Sequence, residues 1–528
     1  MRNPLSIFRK KNLEELAEER VASKLIDIHR GEAKHPLEFT HPEDLPIEVF
    51  DEYVVKDWIG VRIGLHGDEP LYLIDEPRLD RYETATFAAV LDSLYYGFSV
   101  DDLPATDAQR QRLLREQVQR AAEKLGLRLK PESVGRVVYY LYREVFGFGV
   151  IDALMNDPSI EDIACMGVSQ PIFVYHRKHG GLGYVPTNIF FRSEDELSDF
   201  IRRQAHKAGR GVSVAQPKGD FMLSDGSRMS AALGREISKF GSNFTIRKYP
   251  SEPFSLTRLV ALHMFSPLMA AYLWWVVEKR RLIFIAGPTG SGKTTLLNSI
   301  LNVLPRHLKF LTIEDVFELR LLSPRWMAFT TRQPGLGGGQ EVALEDLMMH
   351  AVRNRPDILV PGEVRSEGQL LYYVQTATAG HGGACTFHAN DPEQMLVRLK
   401  SMNIQASALD LLWGSAICQY HEKGEETRRR VTQIVEFVPS EGGVAVENIF
   451  SWAPLADTFL PVSVDPLGEK SKRLQAYSKT TMIPLEDILK DIDERARFIE
   501  DLVERKTFKA EDVSHEADMF LAKRKMVA

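Results

Sequence analysis

Short apolar runs alternate with helical stretches across residues 256–437. Strands are predicted at Leu282–Ala286 and, further along, at residues 310–315, 327–332, 357–363 and 384–388. Runs that are apolar throughout are typical of strands covered on both faces. The pattern therefore predicts an α/β domain with a mostly parallel sheet between two layers of helices.

A different order, with a helix first and hairpins after it, precedes this domain. Residues 134–146 are predicted to be helical, and hairpins are predicted at 171–191 and 220–232, with a helix at 194–208 between them. The hairpin turns are rich in glycine, serine and aspartate. The pattern predicts an α+β domain, and two prolines within residues 249–255 predict a short linker with limited slack.

The two ends of the chain carry no chemical motif. Charged helices are predicted at Leu13–Ile28 and at residues 108–127. The last part of the chain predicts an amphipathic helix, whose apolar face is formed by Leu485, Ile488, Leu489, Ile492, Ala496, Ile499 and Leu502. We expect this face to pack on its own domain, with docking on a partner as the alternative.

These patterns divide the chain into five segments. We expect an N-terminal docking or regulatory region at 1–134, the α+β domain at 135–248, the linker at 249–255, the α/β domain at 256–437 and a C-terminal extension at 438–528. The length of 528 residues suits several domains of ordinary size.

One apolar stretch, Leu259–Val277, has to be weighed as a membrane span. Ser266 and Pro267 interrupt it, and this pair is typical of the N-cap and first position of a helix. Because a span needs about 20 uninterrupted apolar residues, we expect a buried helix instead. The charged start of the chain predicts no secretory signal, so a cytoplasmic protein is expected.

Composition narrows the classes of function. The net charge of −7 argues against bulk nucleic-acid binding, although it leaves a local basic patch open. The three cysteines, Cys165, Cys385 and Cys418, lie far apart and are too few for a four-cysteine zinc module.

The chemistry begins directly after the strand at 282–286. The segment there contains Gly287, Pro288, Thr289, Gly290, Ser291, Gly292, Lys293, Thr294 and Thr295. A strand, a glycine-rich loop and a helix in this order form a P-loop, whose backbone N–H groups wrap phosphates. In such a loop Lys293 reaches the β and γ phosphates and the Thr294 hydroxyl ligates Mg²⁺. The sequence predicts a site for ATP and Mg²⁺.

Acidic residues follow two of the later strands. Glu363 comes at the carboxyl end of an apolar strand, where α/β sheets bind ligands, and is our candidate for the base that polarises water. Glu314 and Asp315 end another strand, and adjacent acids there suit metal binding or water positioning. We take Glu314 as a catalytic candidate and Asp315 as a magnesium ligand, with a helix N-terminus as the structural alternative.

His381 and His388 lie in a glycine-rich stretch that also contains Cys385. We reject a zinc site, because Cys385 and His388 would face opposite sides of a strand and no fourth ligand is close. We expect both histidines to hydrogen-bond phosphate or a catalytic acid, with structural roles as the alternative.

Phosphoryl transfer also needs cations near the γ-phosphate. The candidates are Arg228 and Arg247 in the α+β domain and Arg332, Arg353 and Arg365 in the α/β domain. We expect one or two of them to act, some across a subunit boundary. The stretch Gly335–Gly339 lacks a following lysine and is interpreted as a mobile surface loop.

Taken together, these motifs resemble the secretion ATPase superfamily of type II and type IV secretion, type IV pili and archaella. Residues 287–295, 312–315, 353–365 and 378–391 look like its Walker A motif, aspartate box, Walker B motif and histidine box, in the family's order and spacing. The resemblance covers about residues 135–437.

The resemblance implies a PAS-like N-terminal domain joined by a short linker to a RecA-like ATPase domain. It also implies hexameric rings with nucleotide between the domains, catalysis by Glu363, and places near the nucleotide for His381, His388, Arg228 and Arg247. Members of this family are attached to the cytoplasmic membrane through a polytopic platform protein and assemble or move filaments of pilin-like subunits.

The sequence departs from the family pattern in three places. The tetracysteine zinc module of bacterial type II ATPases is absent, which points toward the archaeal branch. Pro361 stands where an aliphatic residue usually ends the Walker B strand, and Ser366 replaces a common acid. These changes remove no catalytic group but affect local hydrogen bonding.

The leading hypothesis is a ring-forming motor ATPase that drives a type IV pilus-like or archaellum filament, or type II-like secretion. The alternative is a DNA-transfer ATPase on the same core, which the net charge of −7 and the lack of a basic–aromatic stripe disfavour. A small-molecule P-loop kinase is the third hypothesis, disfavoured because no lid or acceptor pocket is recognisable.

Overall fold

The described part of the chain begins at residue 47 with three consecutive antiparallel strands. The structure, a computed structural model, describes residues 47–527 without 57–58, 98–105, 250–251, 333–340, 379, 403–410, 424–425 and 441–442. The chain divides into two units between Tyr249 and Pro250. The predicted helix Leu13–Ile28 and the predicted loop Gly335–Gly339 lie outside the described residues.

The described part of the first unit contains a single nine-stranded sheet. Its strands are β1 (Glu48–Val55), β2 (Ile59–His66), β3 (Glu69–Asp75), β4 (Ile160–Cys165), β5 (Pro171–His176), β6 (Tyr184–Phe190), β7 (Lys218–Met222), β8 (Arg228–Ala232) and β9 (Asn243–Arg247). Their order is β1-β2-β3-β6-β5-β4-β9-β8-β7. Neighbouring strands are antiparallel, except that Tyr72 of β3 pairs in parallel with Thr187 of β6.

The two predicted hairpins are confirmed as β5–β6 and β7–β8. Strands β1 to β3 were not predicted, although β2 alternates, with the partly exposed Arg62 between the buried Val61 and Ile63. This sheet contains strands from both sides of residue 134, and the domain boundary placed there stays a prediction.

Along the chain, the described helices of the first unit lie between β3 and β4, with one more between β6 and β7. They are α1 (Arg81–Gly97), α2 (Asp107–Leu125), α3 (Pro131–Val145), α4 (Asp152–Asn156) and α5 (Glu194–Lys207), with a 3₁₀ turn at Gly149–Ile151. The first three share a core that includes Phe87, Leu114 and Leu141. Helix α2 begins at Thr106, whose side chain accepts the Gln109 N–H, and ends at Gly126 with φ 71°.

The second unit contains a mostly parallel sheet. Its described strands are β10 (Leu282–Ala286), β11 (Phe310–Glu314), β12 (Trp326–Thr330), β13 (Ile358–Pro361), β14 (Gly382–Phe387), β15 (Leu412–Lys423), β16 (Glu426–Ser440), β17 (Gly443–Ala453) and β18 (Thr458–Leu460). Their order is β12-β11-β13-β14-β10-β15-β16-β17-β18. Strands β10 to β15 run parallel, and β16 to β18 continue the sheet antiparallel.

Helices cover both faces of this parallel sheet. The helices are α6 (Leu256–Ala261), α7 (Pro267–Glu278), α8 (Lys293–Leu301), α9 (Leu344–Arg353), α10 (Glu367–Thr378), α11 (Pro392–Ser401), α12 (Asp465–Lys470), α13 (Lys472–Thr481), α14 (Leu485–Glu504) and α15 (Ala510–Val527). Along β10, Ile283 and Ile285 join one core, whereas Leu282 and Phe284 join the core on the other face. The predicted α/β domain is thus confirmed, and residue 437, placed as its end, lies within β16.

Helix α7 is buried on all sides, with every residue from Leu268 to Val277 in the core. The Ser266 hydroxyl accepts the Met269 N–H at 3.2 Å and Pro267 occupies the first turn, as predicted. Helix α14 packs against it with the predicted apolar face, and Arg495 of α14 binds Glu278 at 2.7 Å. No helix in the described ranges is both long enough and apolar enough to cross a membrane.

Candidate nucleotide site

The P-loop connects β10 to α8 and lies between β14 and β15. The Gly287 N–H donates to the Phe387 carbonyl of β14 at 3.2 Å. On the other side, a Cβ at Gly287 would lie 2.1 Å from the Cys418 carbonyl oxygen of β15, so only glycine fits there. Gly292, with φ 91°, is the N-cap of α8. The loop is held by its two neighbouring strands.

Lys293 turns back onto its own loop. Its ammonium group donates to the Pro288 carbonyl at 2.8 Å, and the Ser291 hydroxyl donates to the same oxygen at 2.8 Å. Burial lowers the pKa of Lys293. A buried cation that bonds a neutral carbonyl, at the N-terminus of a helix, fits a triphosphate, which would replace the carbonyl as acceptor.

Glu363 lies at the carboxyl edge of the same sheet, between a histidine and an arginine. His388 Nε2 is 2.8 Å from Glu363 Oε1, and Arg365 donates to Glu363 Oε2 from Nε at 2.8 Å and from Nη2 at 2.5 Å. Arg365 Nη1 also binds Asp315 Oδ2 at 2.9 Å. The predicted carboxylate, one predicted histidine and one candidate arginine therefore form one hydrogen-bonded row.

The pKa of His388 lies below its ordinary value in this arrangement. Burial lowers its pKa, and the positive charge of Lys293 lowers it further, while Glu363 opposes this shift. A neutral imidazole donates to the Glu363 carboxylate only as the tautomer with the proton on Nε2. His388 therefore contacts Glu363, and the catalytic roles of both residues stay predictions.

Glu314 is buried at the end of β11. Its Oε1 accepts the N–H groups of Glu318 at 2.9 Å and Leu319 at 3.0 Å, and its Oε2 has no hydrogen-bond partner among the described residues. Burial raises the pKa of Glu314 to about 8. No helix begins between β11 and β12, a segment that the structure describes throughout, so Glu314 does not lie at a helix N-terminus, and its side chain instead holds the segment that follows through these two N–H groups. Its catalytic role stays a prediction.

The Glu314→Gln variant should lose most of the pH dependence of stability that this acid causes. Because the folded-state pKa of about 8 lies above the ordinary 4.5, the wild type should lose stability as pH rises from 4.5 to 8. Thermal denaturation of both proteins at about pH 5.5 and pH 8 measures the difference. Glu393→Gln, at an exposed position of α11, is the control, because this residue is not among the causes of the raised pKa. Equal pH dependence in wild type and Glu314→Gln would contradict the assignment.

Asp315 is more exposed than Glu314 and is placed differently. Its Oδ1 accepts the Thr331 hydroxyl at 3.0 Å, and its Oδ2 binds Arg365. Among the described residues, no three His, Cys, Asp or Glu side chains converge as a metal site. The oxygen donors of Asp315 and of Thr294, in the first turn of α8, suit Mg²⁺, with the remaining ligands supplied by phosphate and water.

His381 lies at the opposite edge of the sheet from Glu363. Its Nδ1 is 2.6 Å from the Pro356 carbonyl oxygen, and β14, which follows it directly, has six residues and spans roughly 20 Å. A cavity of about 420 Å³ at this edge is lined by Arg280, Val352, Arg355, Pro356, Asp357, Gly380 and His381. Within one chain, β14 therefore separates His381 from His388 and Glu363, and the role of His381 at the phosphate stays a prediction.

Arg228 and Arg247 are directly opposite each other on β8 and β9. Arg228 Nε donates to Asp220 at 2.8 Å, and Arg247 Nε donates to Asp162 at 3.3 Å. Both side chains are largely exposed. The structure brings the two predicted arginines together on one face of the first unit's sheet, and their catalytic roles stay predictions.

The two departures from the family pattern are accommodated locally. Pro361 ends β13, and the following Gly362 N–H donates to the Ile313 carbonyl at 2.7 Å. The Ser366 hydroxyl donates to Glu345 at 3.1 Å and accepts the Gln369 N–H at 3.2 Å. The Walker B segment therefore keeps a defined conformation with these residues.

Sequence reasoning missed one residue that touches the P-loop. Arg429 of β16 donates from Nε to the Gly290 carbonyl at 2.9 Å. It lies outside all four boxes, and a single arginine on a strand carries no local signal. Only the sheet, which places β15 beside β10 and β16 beside β15, brings it to the loop.

Comparisons with known proteins identify a family and individual proteins that are similar to this chain. A family model described as Type II/IV secretion system protein matches residues 147–420. An uncharacterized protein of Methanocaldococcus jannaschii is 33% identical over 391 residues, which are 72% of this chain and 69% of the relative. A putative conjugal transfer protein of Mycobacterium tuberculosis is 27% identical over 323 residues, covering 59% of this chain and 90% of the relative.

Among solved structures, the Legionella pneumophila ATPase DotB is 19% identical, with a TM-score of 0.40, covering 55% of this chain and 79% of that chain. The matched family segment contains the P-loop, Glu363 and His388. The resemblance expected from the sequence is therefore confirmed, and the chain belongs to the type II/IV secretion system protein family.

Proposed function

We propose that this protein is a ring-forming motor ATPase that drives movement or assembly in a secretion or pilus-like system. The observation that carries the proposal is the row His388–Glu363–Arg365–Asp315, which lies at the sheet edge that also bears the P-loop. This arrangement combines a loop that can surround phosphates, the hydrogen-bonded carboxylate of Glu363 and the exposed guanidinium group of Arg365. Transfer of a phosphoryl group to water requires groups of these three kinds.

Nucleotide binding begins with the exchange of acceptors at Lys293. The ammonium group leaves the Pro288 carbonyl for phosphate oxygens, while backbone N–H groups of residues 287–295 surround the same phosphates. Thr294 and Asp315 would hold Mg²⁺, which neutralises phosphate charge when it is bound. The residues of the loop thus fix the triphosphate before any water attacks.

Glu363 takes the role of the base. Its carboxylate orients the attacking water and accepts its proton, and the bond to His388 fixes its direction. Arg365 is about 60% exposed and binds two carboxylates at once, so it can turn toward the γ-phosphate as negative charge develops. His388 positions the base, and Arg365 supplies a cation within the same chain.

The proposal also includes a ring of several copies of this chain and a membrane protein to which the ring is attached. Arg228 and Arg247 face outward side by side and suit a phosphate bound by a neighbouring subunit, in a ring of about six copies as the family resemblance implies. We place the ring in the cytoplasm, attached at the membrane surface through a polytopic platform protein. A type IV pilus-like filament, an archaellum or type II-like secretion is the system that it drives.

The test combines ATPase rate with mass. The rate per subunit should rise steeply with protein concentration, and light scattering after size-exclusion chromatography should show a six-subunit mass in the presence of nucleotide. A monomer with a constant rate per subunit would contradict a ring with shared sites. Arg247→Ala should lower the ATPase rate and still bind nucleotide. Arg62→Ala, on β2 of the same unit, is the control and should keep the wild-type rate.

A DNA-transfer ATPase is the second candidate function. The Mycobacterium tuberculosis relative, described as a putative conjugal transfer protein, favours it, and the net charge of −7 disfavours it. ATPase rates measured with and without single- and double-stranded DNA separate the two functions. Stimulation of turnover by DNA would favour the transfer function over a motor for filaments.

A further inference from the structure

Arg429 extends the P-loop site beyond the segment that matches the family. Its Nε donates to the carbonyl of Gly290, the central glycine of the loop, and its Cδ would lie 3.5 Å from a Cβ at Gly292. The family match ends at residue 420, so β16 and Arg429 lie after it. A strand that follows the matched segment thus places a guanidinium group beside the P-loop.

The backbone that carries Arg429 is firmly held. Arg430 binds Asp457 through two hydrogen bonds of 2.9 Å, and its Nη1 also donates to the Arg429 carbonyl at 2.9 Å. The Val431 N–H donates to the Met264 carbonyl at 2.8 Å. The Met264 side chain in turn contacts the position of a Cβ at Gly292. These contacts tie β16 to the P-loop from one side.

Three successive arginines on β16 have different partners. Arg428 and Arg430 both pair with Asp457, at 3.6 Å and 2.9 Å. Arg429 is exposed, and no carboxylate lies within 4.0 Å of it in the part of the chain that the structure describes. Among the described residues, Arg429 is anchored to the loop by Nε, and its two terminal nitrogens make no hydrogen bond.

We propose that Arg429 binds the phosphate chain of the nucleotide held by its own P-loop, as a second cation of that site beside Lys293. A guanidinium group presents its donors in a planar fork that matches phosphate oxygens. Because Nε is anchored to the loop, binding of phosphate at the terminal nitrogens requires little further ordering of the side chain. The inference rests on the proposed nucleotide site and adds to it a contact from outside the four boxes.

A purely structural role is the competing explanation. In that role Arg429 closes the P-loop through Gly290 and never touches phosphate. The two roles differ in electrostatics, since only a phosphate contact makes nucleotide affinity depend on the charge of this residue and on ionic strength.

The experiment measures the dissociation constants of fluorescent ATP and ADP analogues for the full chain, at about 50 mM and 300 mM salt. Arg429→Ala should raise both constants by about 10- to 100-fold at low salt, the loss expected for one hydrogen-bonded charge. Its affinity should also depend less on salt than that of the wild type. Arg429→Lys, which keeps the charge but not the fork, should fall between the two.

Two comparisons make the outcome decisive. Arg428→Ala, at the neighbouring position on the same strand, should change the dissociation constants by less than about twofold. An Arg429→Ala variant with wild-type affinity, or with weakened affinity but an unchanged salt dependence, would overturn the phosphate contact. Failure of the wild type itself to bind ATP would instead overturn the proposed nucleotide site. Melting temperatures of all variants verify that they are folded.

Discussion

Glu363→Gln should stop ATP turnover while ATP remains bound. The amide keeps the size of the side chain, but it cannot accept the proton of the attacking water, so kcat should fall by at least about 100-fold. Release of phosphate under saturating ATP measures the rate, and equilibrium binding of a fluorescent ATP analogue measures retention. The P-loop does not contain the changed residue, which is why binding should persist.

A neighbouring glutamate provides the control for this substitution. Glu367→Gln, at the exposed start of α10, changes the same group at almost the same position in the chain and should keep the wild-type rate. Full activity of Glu363→Gln would contradict its role as the base. Loss of nucleotide binding together with activity would mean that the row from His388 to Asp315 supports the site as a whole.

Lys293→Ala should abolish nucleotide binding, and hydrolysis with it. The substitution removes the cation that contacts the triphosphate at the start of α8, and we expect the dissociation constant for ATP to rise by about 100-fold or more. Binding titrations with ATP and ADP test this directly. Lys490→Ala, at an exposed position of α14, controls for the loss of a positive charge.

The fold of this variant should survive. Burial lowers the pKa of Lys293, because a positive charge is less stable where it is shielded from water. Removing that charge should therefore leave the melting temperature in the absence of nucleotide nearly unchanged. A large fall in melting temperature would mean that the bond from Lys293 to Pro288 stabilises the loop itself.

The sequence was most informative where local order and chemistry coincide. Gly287 to Thr295 could be predicted because strand, loop and helix follow one another without a break. Glu363 could be predicted because a buried strand ends just before it, and His388 because it follows another such strand. In each case a run of buried residues forms a strand, and the polar residue that follows it lies at the carboxyl edge of the sheet.

Long-range relations could not be predicted in the same way. His381 and Cys385 share one glycine-rich stretch in sequence, but the strand that begins at Gly382 puts His381 at the far edge. The position of Arg429 beside the P-loop depends on two successive strand pairings, of β10 with β15 and of β15 with β16. The raised pKa of Glu314 depends on its burial in the folded protein, which the sequence alone does not show.

The covering of α7 by α14 has a consequence for biosynthesis. Every catalytic motif has been synthesised once His388 has left the ribosome, but Trp274 and its neighbours on α7 stay exposed until the residues of α14 follow. A nascent or truncated chain that ends before Leu485 therefore presents a large apolar surface. We expect quality-control proteases and chaperones to remove such chains, so that incomplete subunits do not enter an assembly and block it.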